Sequence, residues 1–369
     1  MRYVAIAFCT AALTACPALA DAQSDADTGT PATAPVAAPS QFTFSGYLAG
    51  SFDDFDTTPA LRAFDTRKRG FVFNQAAATF AFLPTSGFGG QVTMIGGEDA
   101  KAIRLTETWP TPGHGSPYDL YNAFVQYATG PVTVMAGKYS TLAGAEVTSP
   151  ASDSLVSRSL LFTMMEPLTH TGVRAVYAVS PTLTLTAGVN NGWNFSSAPS
   201  GAGQSLELGA SGGIGAAFTY SAALYRGDSP LYGGNPTGAL QLIDLVANFK
   251  LGPTLALGAN ADLLSKQGAA SAGGTGHTNG LALYATWTPD AKWQAALRGE
   301  AIDDKDGMIT GIAGNTLQEA SIAGSYFPTP SLRLSLELRR DHSARPYFIE
   351  SGQQQRSQTS IEAQAVYSF

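Results

Sequence analysis

Cysteine is almost missing from this chain of 369 residues, and its two examples, Cys9 and Cys16, both fall within the first twenty. Beyond that point no disulfide, zinc-thiolate site or cysteine nucleophile can be built. Histidine is scarce too, with only His114, His170, His277 and His342. None has a histidine partner four residues away or a nearby cysteine, so no metal ligand set is expected. Charged residues make up 13% of the chain, roughly half the usual quarter. No apolar run reaches the length of about eighteen residues that a spanning helix requires. The net charge of −7 argues against nucleic acid as a partner.

The N-terminus has the grammar of export. Met1 and Arg2 precede the apolar run from Val4 to Ala15, and Ala18-Leu19-Ala20 offers a small-residue cleavage site. Residues 1–20 are therefore expected to be a signal peptide, leaving 349 residues. Leu13-Thr14-Ala15-Cys16 also fits a lipobox, which would lipidate Cys16. Cleavage after Ala20 is the preferred reading, because a closed barrel needs no lipid anchor. An exported, thiol-free body suits an oxidising compartment or beyond. Residues 21–40, rich in Ala, Pro, Thr and Ser, cannot bury a core and form a flexible leader.

From Gln41 to Phe369 the chain alternates as strands do, with no shift in composition to mark a second domain. In Ser331–Arg339, Leu332, Leu334, Leu336 and Leu338 share one face and Arg333, Ser335, Glu337 and Arg339 the other. Similar rows recur: Leu255, Leu257 and Leu263 against Asn260 and Asp262, and Ala295 and Leu297 against Gln294, Arg298 and Glu300. Sixteen strands are expected, starting near Phe42, Gly70, Gly89, Leu120, Pro131, Thr169, Thr182, Gln204, Ala216, Leu240, Thr254, Gly280, Lys292, Thr316, Ser331 and Thr359. Short links, such as 129–131 and 251–253, alternate with long polar ones, such as 99–119 and 343–357. Low charge, abundant glycine, rows of opposite character and alternating loop lengths predict an all-β, transmembrane, antiparallel up-and-down barrel. A soluble sandwich shares the alternation of faces but has no reason to alternate its loops.

The longest gap between strands lies within Gly137–Arg174, making it the third outer loop, and it is expected to fold into the lumen. Its Glu146, Asp153, Arg158 and Glu166 would then form a constriction. Parity places Arg174, Asp244, Lys250, Arg298, Glu300, Arg333, Glu337 and Arg339 on the pore wall, with Asn248, Asn260, Asp262 and Glu362 beside them. The loop carboxylates should face the basic wall across a narrow gap, filtering solutes by field and width.

Rival chemistries find little support. Gly209-Ala210-Ser211-Gly212-Gly213 matches G-x-S-x-G, but the nucleophile elbow needs a strand followed by a helix, and another strand follows here. Asp304-Lys305-Asp306-Gly307 lacks the acids a calcium loop requires at Ile302 and Ala313, and reads as a solvated outer loop. Asp53, Asp54 and Asp56 read the same way, while His170 should line the pore mouth or bond the loop. Tyr121, Tyr127, Trp193, Trp287, Trp293 and Tyr326 are expected in interfacial girdles. No catalytic residue and no cofactor are expected. The alternatives are a barrel hydrolase of lipids or esters, tested by Ser211→Ala, and an adhesion or structural barrel.

Phe44-Ser45-Gly46-Tyr47, Phe73-Asn74-Gln75, Ala136-Gly137-Lys138, Arg158 to Phe162, Glu166-Pro167 and Thr169 to Arg174 together carry a likeness to a known family: the chain resembles the OmpL-like β-barrel porins. The likeness continues through Gly188 to Trp193, Asp244-Leu245-Val246, Asp303-Asp304, Arg339-Arg340-Asp341 and Tyr367-Ser368-Phe369. The resemblance implies a bacterial outer-membrane channel for passive diffusion of small hydrophilic solutes or ions. It also implies insertion by the barrel-assembly machinery through terminal Phe369, contact with outer-membrane lipids, and a homotrimeric state.

Overall fold

The computed structural model describes residues 42–107, 115–198, 203–233 and 237–369. The signal peptide, the leader and His114 lie outside the described residues. Fifteen strands follow in order: β1 (Thr43–Phe55), β2 (Arg69–Phe82), β3 (Gly87–Gly96), β4 (Tyr118–Thr129), β5 (Val132–Ser140), β6 (Thr169–Ser180), β7 (Leu183–Asn190), β8 (Ser205–Ile214), β9 (Phe218–Asp228), β10 (Ala239–Leu251), β11 (Leu255–Lys266), β12 (Gly276–Trp287), β13 (Trp293–Asp304), β14 (Asn315–Thr329) and β15 (Leu332–Ser343). A small hairpin, β16 (Phe348–Glu350) with β17 (Gln353–Gln355), sits in the loop before β18 (Ser357–Ser368). Every barrel strand pairs antiparallel with its sequence neighbour, and β18 closes the ring on β1. The barrel thus has the sixteen strands expected, the largest displacement being at β12, which starts at Gly276 rather than Gly280.

The pleat sorts side chains as the alternation requires. On β15, Leu334, Leu336 and Leu338 are exposed, whereas Arg333, Ser335, Glu337 and Arg339 are buried inside. Leu245, Leu263, Leu281, Leu297 and Ile361 continue the apolar exterior on neighbouring strands. Leucines left on the outside while arginines are buried invert the order of a soluble protein, and this exterior needs hydrocarbon around it. Trp287 and Trp293 are exposed near the short-turn end, with Trp293 against Tyr326 at 4.7 Å between rings.

Two residues expected in the girdle are inside instead. Tyr121 occupies a bulge, where the register passes from Thr93↔Asn122 to Met94↔Leu120 and leaves Tyr121 unpaired. The extra residue breaks the alternation and turns the phenol inward. Trp193, in the loop after β7, is 3% exposed and packs in the interior. The interior is also less uniformly polar than its strand rows suggest. Inward-facing Leu240, Leu242, Leu264, Ile302 and Leu317 form an apolar cluster with loop residues Leu61, Met308 and Phe348. Asp53 and Asp304, expected in solvated loops, are fully buried; Asp304 caps its loop by accepting from the Ile309 and Thr310 amides.

Candidate functional site

The interior is organised by the loop spanning residues 141–168. Within it a short helix, α1 (Leu160–Met164), starts where the Ser159 hydroxyl accepts from the Phe162 amide at 3.0 Å, an N-cap bond. The helix is five residues long, too short for its period to show in the sequence. Leu160, Leu161 and Met165 are buried against the apolar cluster on the inner wall. Gly280 on β12 allows that approach, since a Cβ there would lie 2.8 Å from Leu161 and 3.0 Å from the Met165 sulfur. Each buried leucine contributes about 1.5–3 kcal/mol to holding the loop in place.

Polar bonds fasten the loop to the wall on several strands. Glu337 on β15 accepts from the Val156 amide at 2.5 Å and from the Ser157 amide at 3.2 Å. Glu300 on β13 accepts from the Leu160 and Leu161 amides at 2.7 and 3.2 Å. Arg333 donates to the carbonyls of Asp153 and Pro150, and Arg339 to that of Arg158. The Tyr225 hydroxyl on β9 takes the Leu142 amide at 2.8 Å, and Asn260 on β11 takes that of Ala145 at 2.8 Å. On the other side of the ring, Gln75 of β2 donates to the Thr148 carbonyl at 3.2 Å. Tyr121 of β4 bonds the Thr148 hydroxyl at 2.7 Å. Bonds to β2, β4, β9, β11, β13 and β15 can be made together only by a segment lying across the lumen.

Most charges expected to face one another are joined, with no gap between them. Arg298 Nη1 lies 2.7 Å from Glu146, and its Nε lies 3.0 Å from Glu319 and 3.5 Å from Glu300. Asp153 pairs with Arg158 at 2.9 Å within the loop itself. Arg174 pairs along the wall with Glu207 at 2.5 Å and lies over the Tyr139 ring at 4.1 Å. Lys250 is exposed at the short-turn end of β10, apart from the loop. Glu166 departs most from expectation: it faces two wall acids, Asp244 and Asp262. Loop position and charge alone could not foresee this, because the register of the loop against β10 and β11 comes from its apolar packing.

Burial pushes the Asp153 carboxyl up to about 7, with Arg158 opposing and Glu146 adding to the rise. Asp99, in the helix Glu98–Glu107 of the preceding outer loop, is pushed up to about 6 by burial against the opposing pull of Arg158. Glu166 is raised well above the ordinary carboxylate range, by burial first and then by Asp262 and Asp244. A second anchor, Arg62 in the β1–β2 loop, bonds Asp65 at 2.7 Å, Asp341 at 2.8 Å and Glu362 at 3.4 Å.

Open space remains on one side of the loop. A cavity of about 230 Å³ lies between the loop and the wall made by β1–β4. Wall residues lining it are Tyr47, Gln75, Thr93, Ile95, Tyr121 and Asn122, with Ser140 at the end of β5, none of them charged. On the loop side it meets Glu146, Asp153 and Glu166. The neutral residues Gln75, Thr93 and Asn122 were not among the expected pore residues. The two bulges, at Tyr121 of β4 and at Asn74 of β2, change which residues point inward on those strands, and straight alternation cannot follow them. Thr93, in contrast, keeps the regular inward row of β3 with Gln91 and Ile95. His170 bonds the Gly192 carbonyl at 3.1 Å and stacks on Tyr225 at 4.5 Å. Ser211 lies within β8 and is followed by a turn and β9, with no helix.

A closed sixteen-stranded barrel with a lipid-type exterior, and a loop laid across its polar interior, is the architecture of a porin. The family described as "Putative beta-barrel porin-2, OmpL-like" matches residues 41–369, and the chain belongs to it. Its fold is shared with the anion-selective porin from Comamonas acidovorans at TM-score 0.63 and 13% identity, covering 89% of this chain and 100% of that one. OmpT of Vibrio cholerae is similar in its loop L8 deletion mutant, at TM-score 0.61 and 11% identity over 89% and 99% of the two chains. The in-vitro folded trimer form of OmpT gives 0.60 and 12%, again over 89% and 99%. No curated protein sequence matches the chain.

Proposed function

We propose that this protein is a bacterial outer-membrane porin that passes small hydrophilic solutes by diffusion through the space between the infolded loop and the β1–β4 wall. The single observation that carries this reading is the position of the 141–168 loop. It is bonded to both sides of the ring, yet leaves an open cavity against the uncharged wall. The loop narrows the lumen, so the width between Thr93 or Asn122 and the loop backbone sets the size limit. Glu146, Asp153, Arg158 and Glu166 border or brace this constriction.

Because Glu146 is paired with Arg298 and Asp153 with Arg158, much of the nearby charge is neutralised locally. A paired charge projects a weak field, so the channel accepts polar solutes with little preference for sign. No enzymatic role is needed: Ser211 lacks the helix that would expose a nucleophile, and His170 is committed to Gly192 and Tyr225. Residues 1–20 act as the export signal. Phe369 carries the mark read by the barrel-assembly machinery, and the trimer form of OmpT supports a homotrimer.

The test is conductance in a planar bilayer. Purified, folded protein should insert in discrete current steps, with the largest permeant neutral sugar set by the loop gap. A folded protein that passes no current at any voltage would overturn the reading.

A further inference from the structure

Where the loop leaves the lumen towards β6, three carboxylates from three separate segments converge. Glu166 ends the loop, Asp244 lies on the inner row of β10, and Asp262 lies opposite it in the register with β11. One carboxylate oxygen from each lies within 4.8 Å of the others. Glu166 is 7% exposed, and the two aspartates are fully buried. The Asn260 amide donates to one Asp244 oxygen at 2.7 Å. Four other oxygens, Glu166 Oε1, Asp244 Oδ1 and both of Asp262, are buried with no hydrogen-bond donor. No lysine or arginine forms an ion pair with any of the three among the described residues. The backbone makes room for this arrangement. Gly144 has φ of +94°, and a Cβ on it would collide with the Glu166 carboxylate.

Buried carboxylates without donors are costly unless something positive compensates them. Three other buried acids in this lumen are compensated: Glu337 holds amides, Glu319 holds Arg298, and Glu207 holds Arg174. We propose that Glu166, Asp244 and Asp262 bind a hard divalent cation, calcium first, which fastens the end of the loop to β10 and β11. Oxygen donors alone select calcium or magnesium over softer metals. Calcium accepts about six to eight oxygens in irregular sets, whereas magnesium needs a tighter and more regular octahedron. The loop backbone and water would complete the coordination of calcium, which tolerates irregular sets.

The experiment uses the full chain folded in detergent, stripped with a chelator, and titrated with terbium alone. Tyr232 donates to the Met164 carbonyl at 2.8 Å, with Trp193 6.2 Å from it between rings, so aromatic sensitisers sit close to Glu166. Wild-type protein should show saturable sensitised emission that calcium displaces. Asp262→Asn and Glu166→Gln should each weaken binding by about tenfold or more, as expected when a charged ligand is lost. Asp290→Asn, in an exposed turn, should leave it unchanged. Both test variants remove mutual repulsion, and heat-dependent gel mobility checks their folding; Asp244→Asn serves if either fails. No saturable binding, or binding that survives these substitutions, overturns the proposal, and protons then compensate the cluster. Binding is read without any current, so this site and the channel reading can fail separately.

Discussion

Arg298 and Glu146 meet at 2.7 Å, joining an inner-wall position on β13 to the loop that crosses the barrel. The guanidinium also reaches Glu319 at 3.0 Å and donates to the Ser157 carbonyl at 3.1 Å. One side chain therefore ties two wall strands to the loop. Replacing it with alanine should leave Glu146 with only the Ser159 amide, and Glu319 with the Ser321 hydroxyl and the more distant Arg339, a loss of about 3–5 kcal/mol. Arg298→Ala is expected to lower the unfolding temperature and to give larger, noisier current steps as the loop loosens. Thermal unfolding by circular dichroism, paired with single-channel recording, checks both.

The wall opposite carries a different expectation. Thr93 lines the open space with Asn122 and Gln75 and bonds the Thr79 hydroxyl at 3.0 Å. Thr93→Trp should fill part of the cavity of about 230 Å³ without touching the loop anchors. Conductance should fall several-fold while the unfolding temperature changes little. An unchanged conductance would place the route for solutes elsewhere in the lumen.

Asp153 gives the loop a dependence on pH. Its carboxyl is pushed up to about 7 from the ordinary 3.8, chiefly by burial. A raised acid binds its proton more tightly in the closed loop than in a released one. Its contribution to attachment is thus full below about pH 4 and is lost as pH rises through about 7. Hydrogen exchange at the Val147 amide, which bonds Asp153 at 3.2 Å, should quicken more steeply across that window than intrinsic exchange does. Asp153→Asn should remove the excess steepness.

The lipid-facing row makes the fourth prediction. Leu336 is 58% exposed between Leu334 and Leu338, midway along the apolar face of β15. Leu336→Arg should destabilise the folded barrel by about 2–4 kcal/mol in a bilayer, and by less at strand ends. Urea-dependent refolding into vesicles measures the difference.

How far the sequence was legible depends on the period of each feature. Strict alternation, as in Leu334 to Arg339, declares both faces of a strand, and sixteen such segments with alternating links declare the barrel. A single inserted residue is invisible to that signal, so Tyr121 appeared to belong outside and Asn122 was passed over. The length and charge of the 141–168 loop marked it as functional. Its destination against β13 and β15 depends on three-dimensional packing around Leu160, Leu161 and Gly280. The same packing turned Glu166 away from the arginines and towards two aspartates.

One pairing in the ring differs from all the others in the chain length it spans. Tyr47 of β1 lies opposite Ser368 of β18, and the Gly46 and Phe369 backbones exchange two hydrogen bonds, each 3.0 Å. Fourteen of the remaining joints are local hairpins, and β15 reaches β18 across one hairpin-bearing loop. Until the last joint forms, the sheet carries two bare edges that invite a neighbouring chain. Closure of this seam is therefore the step at which an open, sticky ribbon becomes an inert ring, and its rate governs how long those edges stay exposed.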